Sequence, residues 1–573
     1  MAPWPTALRI LGRSKFSTHS CRCYHDSYHS VTATPGNGKA NTEYQRELYQ
    51  YTSGRWLYNE RLRLSERRLK FDVEELKKVA AQAVNRSRAD IVNFRKLAEG
   101  GFNRVFEIFM NDGFSIIARL PYPSTSPRRL ATASEVATLD FARTHGIPTP
   151  RVLGYSLDPG PVGSEYILME KLPGRPIGET WFQLAEQQRL QVLHDVVKLE
   201  AKLFNTALPA SGSIYYTHDL PPDSPRIEIP GSGGELCVGP YASLRWWFGK
   251  REQLDVDRGP HDKSLPVLQA PAEKELAWIR SYARLRFPFD RQYRETFDYE
   301  KQDPEKHKQA LEDYSKIAPY LPPANPELNV PILRHPDLQP NNIFVADDCT
   351  ITGLIDWQHS TVLPTFLAGG IPKYFQNYAD QESLSFTPPK LPEHFETMDE
   401  DDRVEALELY RRRHVHFFYL GFTRRSNRLH WQALQQDKAL LKRSVYEHAG
   451  NPWEGLSTHL QLDIALVSQN WSKIAQVGPD GTIPPCPVAI SEEETRRRLA
   501  LDESLREVDV EMQRIRDVLG VGVDGWTSNE LFEDAKEKAA MIKEEGLAGI
   551  EDEPWLRDMS EKHWPFDDFD EDE

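Results

Sequence analysis

Three polar side chains lying within twenty residues of one another carry the chemistry that this sequence offers. The stretch Arg334-His335-Pro336-Asp337-Leu338-Gln339-Pro340 puts a carboxylate in a proline-flanked loop, Asn342 follows five residues on, and Asp356 closes the run Thr352-Gly353-Leu354-Ile355. Two short apolar strands, Asn342 to Val345 and Ile351 to Ile355, are joined by an acidic turn at Asp347-Asp348. Such a hairpin folds the segment back on itself, so that Asp337, Asn342 and Asp356 converge. The set suits phosphoryl transfer, a reaction that asks the protein for positioning and charge rather than covalent work. It needs a carboxylate to orient a hydroxyl and accept its proton, and hard oxygen ligands for Mg2+. Asp337 fits the first role; Asn342 and Asp356 fit the second.

The elements that must hold these residues change character along the chain. Phe71 to Val84 has apolar residues at helical spacing behind a capping Asp72. Strands follow around Val92 and Phe94, at Val105 to Met110 and at Phe114 to Leu120, with turns at Glu99-Gly100-Gly101 and Asn111-Asp112-Gly113. Ser134 is placed to cap a helix running to Thr144, and strands are expected at Arg151 to Leu157 and Tyr166 to Leu172. Beyond Pro173-Gly174 helices dominate: Ala185 to Phe204, Ala272 to Arg284, Pro304 to Ile317, Glu400 to Arg413 and Glu492 to Val518. A hairpin-rich first half and a helical second half give an α+β class.

At 573 residues the chain is long enough for two or three packed bodies. Its net charge is -16, but the last 23 residues, Glu551 to Glu573, hold 11 acidic and 2 basic side chains, so more than half of the excess is a tail. The nearly balanced remainder carries no nucleic-acid footprint. The tail is expected to be solvated; Trp555, Trp564, Phe566 and Phe569 within it offer the other option, docking onto a basic surface. Residues 1–24 have Arg9, Arg13, Lys15 and Arg22, several Ser and Thr, and no acid, the composition of a mitochondrial presequence. A merely basic N-terminus is the plainer reading of the same residues. Five scattered cysteines make no disulfide framework and fit a reducing compartment. No stretch approaches a membrane span, the best being His414 to Phe422 between arginines.

His335-x-Asp337 with Asn342, followed by Ile355-Asp356-Trp357, resembles the catalytic and metal motifs of the aminoglycoside phosphotransferase and choline kinase family. The resemblance implies a bilobal protein-kinase-like fold, with a small antiparallel-sheet N-lobe and a larger, mainly helical C-lobe bearing an insertion. It makes ATP the co-substrate, Mg2+ the cofactor, Asp337 the catalytic base, and His335 a structural residue of the catalytic loop. The Glu99 to Phe106 stretch looks like the family's nucleotide loop, with Gly100, Gly101 and Asn103 near the phosphates. Arg119 on the third strand and Glu135 in the following helix match the order of the strand cation and helix glutamate of kinases. Tyr166 to Lys171, including Glu170, looks like the hinge strand beside the adenine. Arg119 departs from the usual lysine, and its planar fork is not an equivalent group. Further stretches, Tyr51 to Leu57, Ile117 to Arg119, Gly231 to Trp247 and Leu363 to Phe375, resemble a fungal subgroup, the altered inheritance of mitochondria proteins, in which this arginine belongs to the pattern.

The expected organisation is a presequence at 1–30, an N-terminal extension at 31–90, a nucleotide-binding N-lobe at 91–172, a C-lobe at 173–475 with an insertion at 217–330, and a helical extension with an acidic tail at 476–573. The expected function is transfer of a γ-phosphoryl group from Mg-ATP to a hydroxyl of an unidentified small molecule in mitochondria. The other reading is a catalytically weak kinase-fold protein that senses nucleotide or binds a partner, kept open by Arg119. In the insertion, Tyr241, Trp246, Trp247 and Phe248 read as packing aromatics, with a cage for a cationic substrate as the alternative.

Overall fold

A computed structural model describes residues 47–476 and 481–573. The basic leader at 1–30 lies outside the described residues. The first long helix, α1 (Val73–Ala83), is capped as expected, Asp72 accepting from the Glu75 amide at 2.9 Å. Its apolar face, Leu76, Ala80 and Ala81, lies on a sheet whose period-2 pattern is cleanest in β3 (Ser115–Pro121), where Ile116, Ala118 and Leu120 are buried and their neighbours are not. With β1 (Ile91–Glu99) and β2 (Asn103–Met110) this strand forms a meander.

The helix that follows, α2 (Leu130–Thr144), starts four residues before the expected Ser134, which is buried inside it. The reason is a cap from elsewhere in the chain: Glu165 accepts from the Arg129 amide (3.0 Å) and the Thr132 hydroxyl (2.7 Å), so the helix needs no local serine to begin. Strands β4 (Val152–Ser156) and β5 (Tyr166–Glu170) complete an antiparallel five-stranded sheet of order β1-β2-β3-β5-β4.

The second half is built from helices and short hairpins. Helix α3 (Glu186–Phe204) lies beside the hairpin of β6 (Ile343–Val345) and β7 (Ile351–Leu354), and Val192, Val196, Leu333, Leu338, Ile343, Leu354 and Trp357 share one core. Two helix boundaries differ from expectation. Ser264–Tyr282 is one helix through Pro271, because the buried proline packs against Gly450 and tertiary contact outweighs the lost backbone bond. Helix α4 (Glu400–Ser426) continues past Arg413 through the apolar run, since Val415 and Tyr419 join the same core beside α3. In the insertion, Tyr241 and Trp246 are buried and stacked at 4.9 Å, and the Trp247 indole donates to Tyr241 O at 2.7 Å, so these aromatics pack the insertion.

The C-terminal extension consists of α5 (Glu492–Leu519), capped by Ser491 and closed by Gly520 in the left-handed region (φ 69°), then α6 (Phe532–Ala548) and α7 (Pro554–Lys562). The tail is not the solvated segment expected from its charge. Trp564 and Phe566 are buried with Met512, Ile515 and Leu519, and Arg291 donates to the carbonyls of Lys562 and Trp564, each at 2.5 Å. Among the described residues no helix is long and apolar enough to cross a membrane. The architecture is the bilobal α+β, kinase-like arrangement: a small antiparallel sheet followed by a mainly helical lobe.

Candidate active site

The loop that carries Asp337 is stitched to the end of β7 by a closed set of hydrogen bonds. The His335 imidazole accepts the Asp337 amide through Nδ1 (3.1 Å), which leaves Nε2 to donate to Ile355 O (2.8 Å). Burial holds this imidazole below its usual range, and its ring meets Trp357 edge-on at 4.6 Å. His335 is therefore a neutral strut. Asn342 completes the set: its side-chain amide hydrogens go to Asp337 O (2.8 Å) and Asp337 Oδ2 (3.2 Å), and its backbone carbonyl accepts from the Ile355 amide (3.0 Å). Asp337, Asn342 and the residue preceding Asp356 are thus held by one another, as the hairpin spacing predicts. The Asp337 carboxylate is exposed and takes a further bond from Gln339 Nε2 at 2.5 Å.

Asp356 sits in the left-handed region at φ 64°. A non-glycine residue there is uncommon and marks a backbone held by its surroundings. What holds it is Arg119, whose Nη2 donates to Asp356 Oδ1 (2.8 Å) and to Gln358 Oε1 (2.8 Å), while Nη1 pairs with Glu135. The guanidinium fork joins β3, α2 and the turn after β7, which a single ammonium does not do. Glu135 is buried: burial pushes its carboxyl up to about 7, Arg119 opposing the rise and Asp356 adding to it.

The glycine loop reaches the same cluster. The Asn103 carboxamide lies 2.7 Å from both Gln358 Oε1 and Arg119 Nη2, and turning the amide over makes its oxygen an acceptor of Arg119. The turn is closed by the Gly100 amide on Asn103 O at 2.9 Å. A Cβ on Gly101 would meet nothing within 4 Å, so the loop borders open space, as a backbone cradle for phosphates requires. Phe102, at the tip, leans edge-on against His359 at 5.3 Å. Glu170 is not part of this cluster's hydrogen bonding. Its carboxylate accepts from the Arg151 amide (3.2 Å) and its own amide donates to Arg151 O (3.0 Å), which pins β5 to the start of β4.

Gln358 and His359 escaped the sequence reading. The only local signal was a polar pair directly after Ile355-Asp356-Trp357, which lacks meaning until Arg119 and Phe102 arrive from the sheet. Among the described residues no three His, Cys, Asp or Glu side chains gather as a metal cage. The amide of Asn342 and the carboxylate of Asp356, both hard oxygen donors, nevertheless fit Mg2+, which takes few protein ligands when phosphates and water supply the rest.

The sequence profile of the phosphotransferase enzyme family APH matches residues 93–365. Over 512 residues the chain is 30% identical to a subtelomeric hrmA-associated cluster protein of Aspergillus fumigatus, spanning 82% of this chain and 96% of that one. It is 28% identical over 389 residues to the altered inheritance of mitochondria protein 9, mitochondrial, of Candida tropicalis, spanning 58% of this chain and 61% of that one. Among solved structures it is similar to an amicoumacin kinase in complex with AMP-PNP and Ca2+, at 14% identity over 76% of this chain and 96% of that one, with a TM-score of 0.32. It is also similar to an ethanolamine kinase of Plasmodium vivax, at 12% identity over 66% and 82%, with a TM-score of 0.29.

Proposed function

Since the chain belongs to the APH phosphotransferase family, we propose that it transfers the γ-phosphoryl group of ATP to a hydroxyl of a small molecule, and that it does so in mitochondria. The single observation that carries this reading is the closed hydrogen-bonded set of His335, Asp337, Asn342 and Ile355, joined through Asp356 to Arg119. In it Asp337 orients the acceptor hydroxyl and takes its proton. Asn342 and Asp356 are the residues that would hold Mg2+, which neutralises charge on the phosphates. Arg119, steadied by Glu135, faces the phosphates, and Gly100, Gly101 and Asn103 line them with backbone. Glu170 marks the hinge strand. The lobes meet at about 172, with 91–172 binding nucleotide and 173–475 carrying the acceptor. The mitochondrial assignment rests on the acid-free basic leader and on the relatives bearing the mitochondrial name.

Thermal unfolding of the full chain with and without Mg-ATP tests the site. A ligand at about 100 times its dissociation constant adds roughly 2.7 kcal/mol, and Asp356→Ala should abolish the gain. No shift in the wild type would remove the reading. Where a shift is seen, ATP turnover over a panel of hydroxyl-bearing metabolites, lost in Asp337→Ala, identifies the acceptor.

A further inference from the structure

Residues 48–59 run as a strap between the glycine loop and the C-terminal extension, and they are bonded to both. On the loop side the anchor is Glu99, the buried residue directly before Gly100-Gly101. Its Oε2 accepts from the Thr52 amide (2.9 Å), the Ser53 amide (3.0 Å) and the Ser53 hydroxyl (2.8 Å). Its Oε1 lies 2.7 Å from Arg104 Nε, a charge contact without the alignment of a hydrogen bond. Lys96 approaches the same carboxylate at 3.1 Å and also bonds the Thr52 hydroxyl, and Arg104 donates to Leu48 O at 2.8 Å.

On the other side the strap is held by residues more than 460 positions away. Arg55–Trp56 pairs antiparallel with Trp526–Thr527. The Trp56 indole donates to Asp524 Oδ2 (3.0 Å), the Leu57 amide to Gly525 O (3.0 Å), the Tyr58 hydroxyl to Val523 O (3.1 Å), and Asn529 Nδ2 to Thr52 O (2.8 Å). The approach is close: a Cβ on Gly54 would fall 2.4 Å from Thr527 O.

A β-turn needs none of this. The Glu99–Asn103 turn is already closed by its own backbone bond, and burying three charged side chains beneath it is costly unless each is matched. What the arrangement achieves is a fixed position for a loop whose two small residues would otherwise leave it loose, and pre-organising a binding loop lowers the ordering cost of its ligand. We infer that Glu99 is a positioning residue for the nucleotide loop, and that the C-terminal extension, acting on the strap through Asp524 and Asn529, sets how firmly that loop is held. The role given to the loop rests on the phosphotransferase reading; the mechanical link does not. By linkage the coupling is reciprocal, so nucleotide bound at the loop must tighten residues 522–529.

The test uses the full chain carrying Asn529→Ala together with Asp524→Ala, two exposed positions outside the candidate site. Amide hydrogen exchange without nucleotide is expected to quicken about tenfold at Thr52, Ser53 and Gly100, while the 343–355 hairpin keeps its wild-type rates. Asp524→Asn, which keeps an acceptor for Trp56, should stay near wild type. The dissociation constant for Mg-AMP-PNP should rise several-fold, KM for ATP with it, and kcat should not change. Unchanged exchange at Thr52, Ser53 and Gly100 while 522–529 loosens would overturn the link. So would loss of protection throughout the protein, which would mean the extension merely stabilises the fold. If the wild type binds no nucleotide, the phosphotransferase reading falls, whereas the exchange data still decide the strap.

Discussion

Arg119 and Asp356 stand 237 positions apart in the chain and 2.8 Å apart in the fold, Nη2 of the arginine donating to Oδ1 of the aspartate. Glu135 takes the other arm of the guanidinium. One side chain therefore ties the sheet, the helix behind it and the turn that bears Asp356.

That geometry separates lysine from arginine at this position. Arg119→Lys keeps a charge for Glu135 but loses the fork, and is expected to lower unfolding free energy by about 1–2 kcal/mol. Arg119→Met removes the charge that opposes the upward shift of Glu135, so its carboxyl takes up a proton and stability should fall by about 1–3 kcal/mol. Urea unfolding at constant slope measures both. A methionine variant as stable as wild type would show that the pair holds nothing.

Gln358 Oε1 accepts from Arg119 at 2.8 Å and lies 2.7 Å from the Asn103 carboxamide of the glycine loop. Gln358→Leu preserves bulk and removes both contacts. We expect a stability loss of about 1–2 kcal/mol and roughly tenfold weaker Mg-AMP-PNP binding by calorimetry. Unaltered affinity would mean that the two lobes are registered by other contacts.

The loop that carries Asp337 has a support one residue upstream of His335. Arg334 donates to Glu200 Oε1 (3.0 and 2.8 Å) and to Ala368 O (2.6 Å), and the Tyr419 hydroxyl donates to Glu200 Oε2 (2.5 Å). Arg334→Leu strands the Glu200 carboxylate, and chemical denaturation should show about 3–5 kcal/mol lost. Tyr419→Phe removes one neutral donor and should lose about 1–2 kcal/mol.

Asp337→Asn keeps acceptor capacity for Gln339 and Asn342 but removes the carboxylate proposed as base. Turnover should drop by about 10²–10⁴ while nucleotide affinity stays within about twofold, because the Asp337 carboxylate is bonded to Gln339 and Asn342, groups that asparagine still accepts from. Steady-state kinetics beside calorimetry separates the two quantities, and a fall in affinity equal to the fall in turnover would contradict the role of base.

The docked tail should be acid-sensitive through His563, whose Nδ1 accepts from Arg294 Nη1 at 2.7 Å. Burial, with Arg294 and Arg291 adding to it, holds this imidazole down to about 4 against 6.5 for a free side chain. Between those values the unfolded chain binds the proton and the folded chain does not, so stability falls as pH drops from 6.5 to 4 and is flat in this respect above 6.5. His563→Gln, which does not titrate, should lose less over the same window, the difference reaching at most roughly 3 kcal/mol. Unfolding free energies at intervals from pH 7.5 to 4.5 give the comparison; parallel curves would show that His563 is not held neutral by its neighbours.

Contacts between near neighbours in the chain are legible in the residues alone. Asp337, Asn342 and Ile355 are joined by hydrogen bonds across one short hairpin and the loop ahead of it, contacts within the reach of local spacing, and the Asp72 cap, the period-2 strands and the closing Gly520 are local in the same sense. Tertiary structure decided everything whose partner is remote. Glu165 capping α2, Pro271 inside a helix, α4 running on past Arg413, and Gln358 joining Arg119 to Asn103 depend on contacts that no local pattern encodes. The tail shows the difference most plainly. Its charge predicted solvation, yet Trp564 and Phe566 found an apolar cluster and Arg291 found its carbonyls, and burial of those rings outweighed the preference of the acids for water. Composition states what a segment prefers alone; the fold states what it meets.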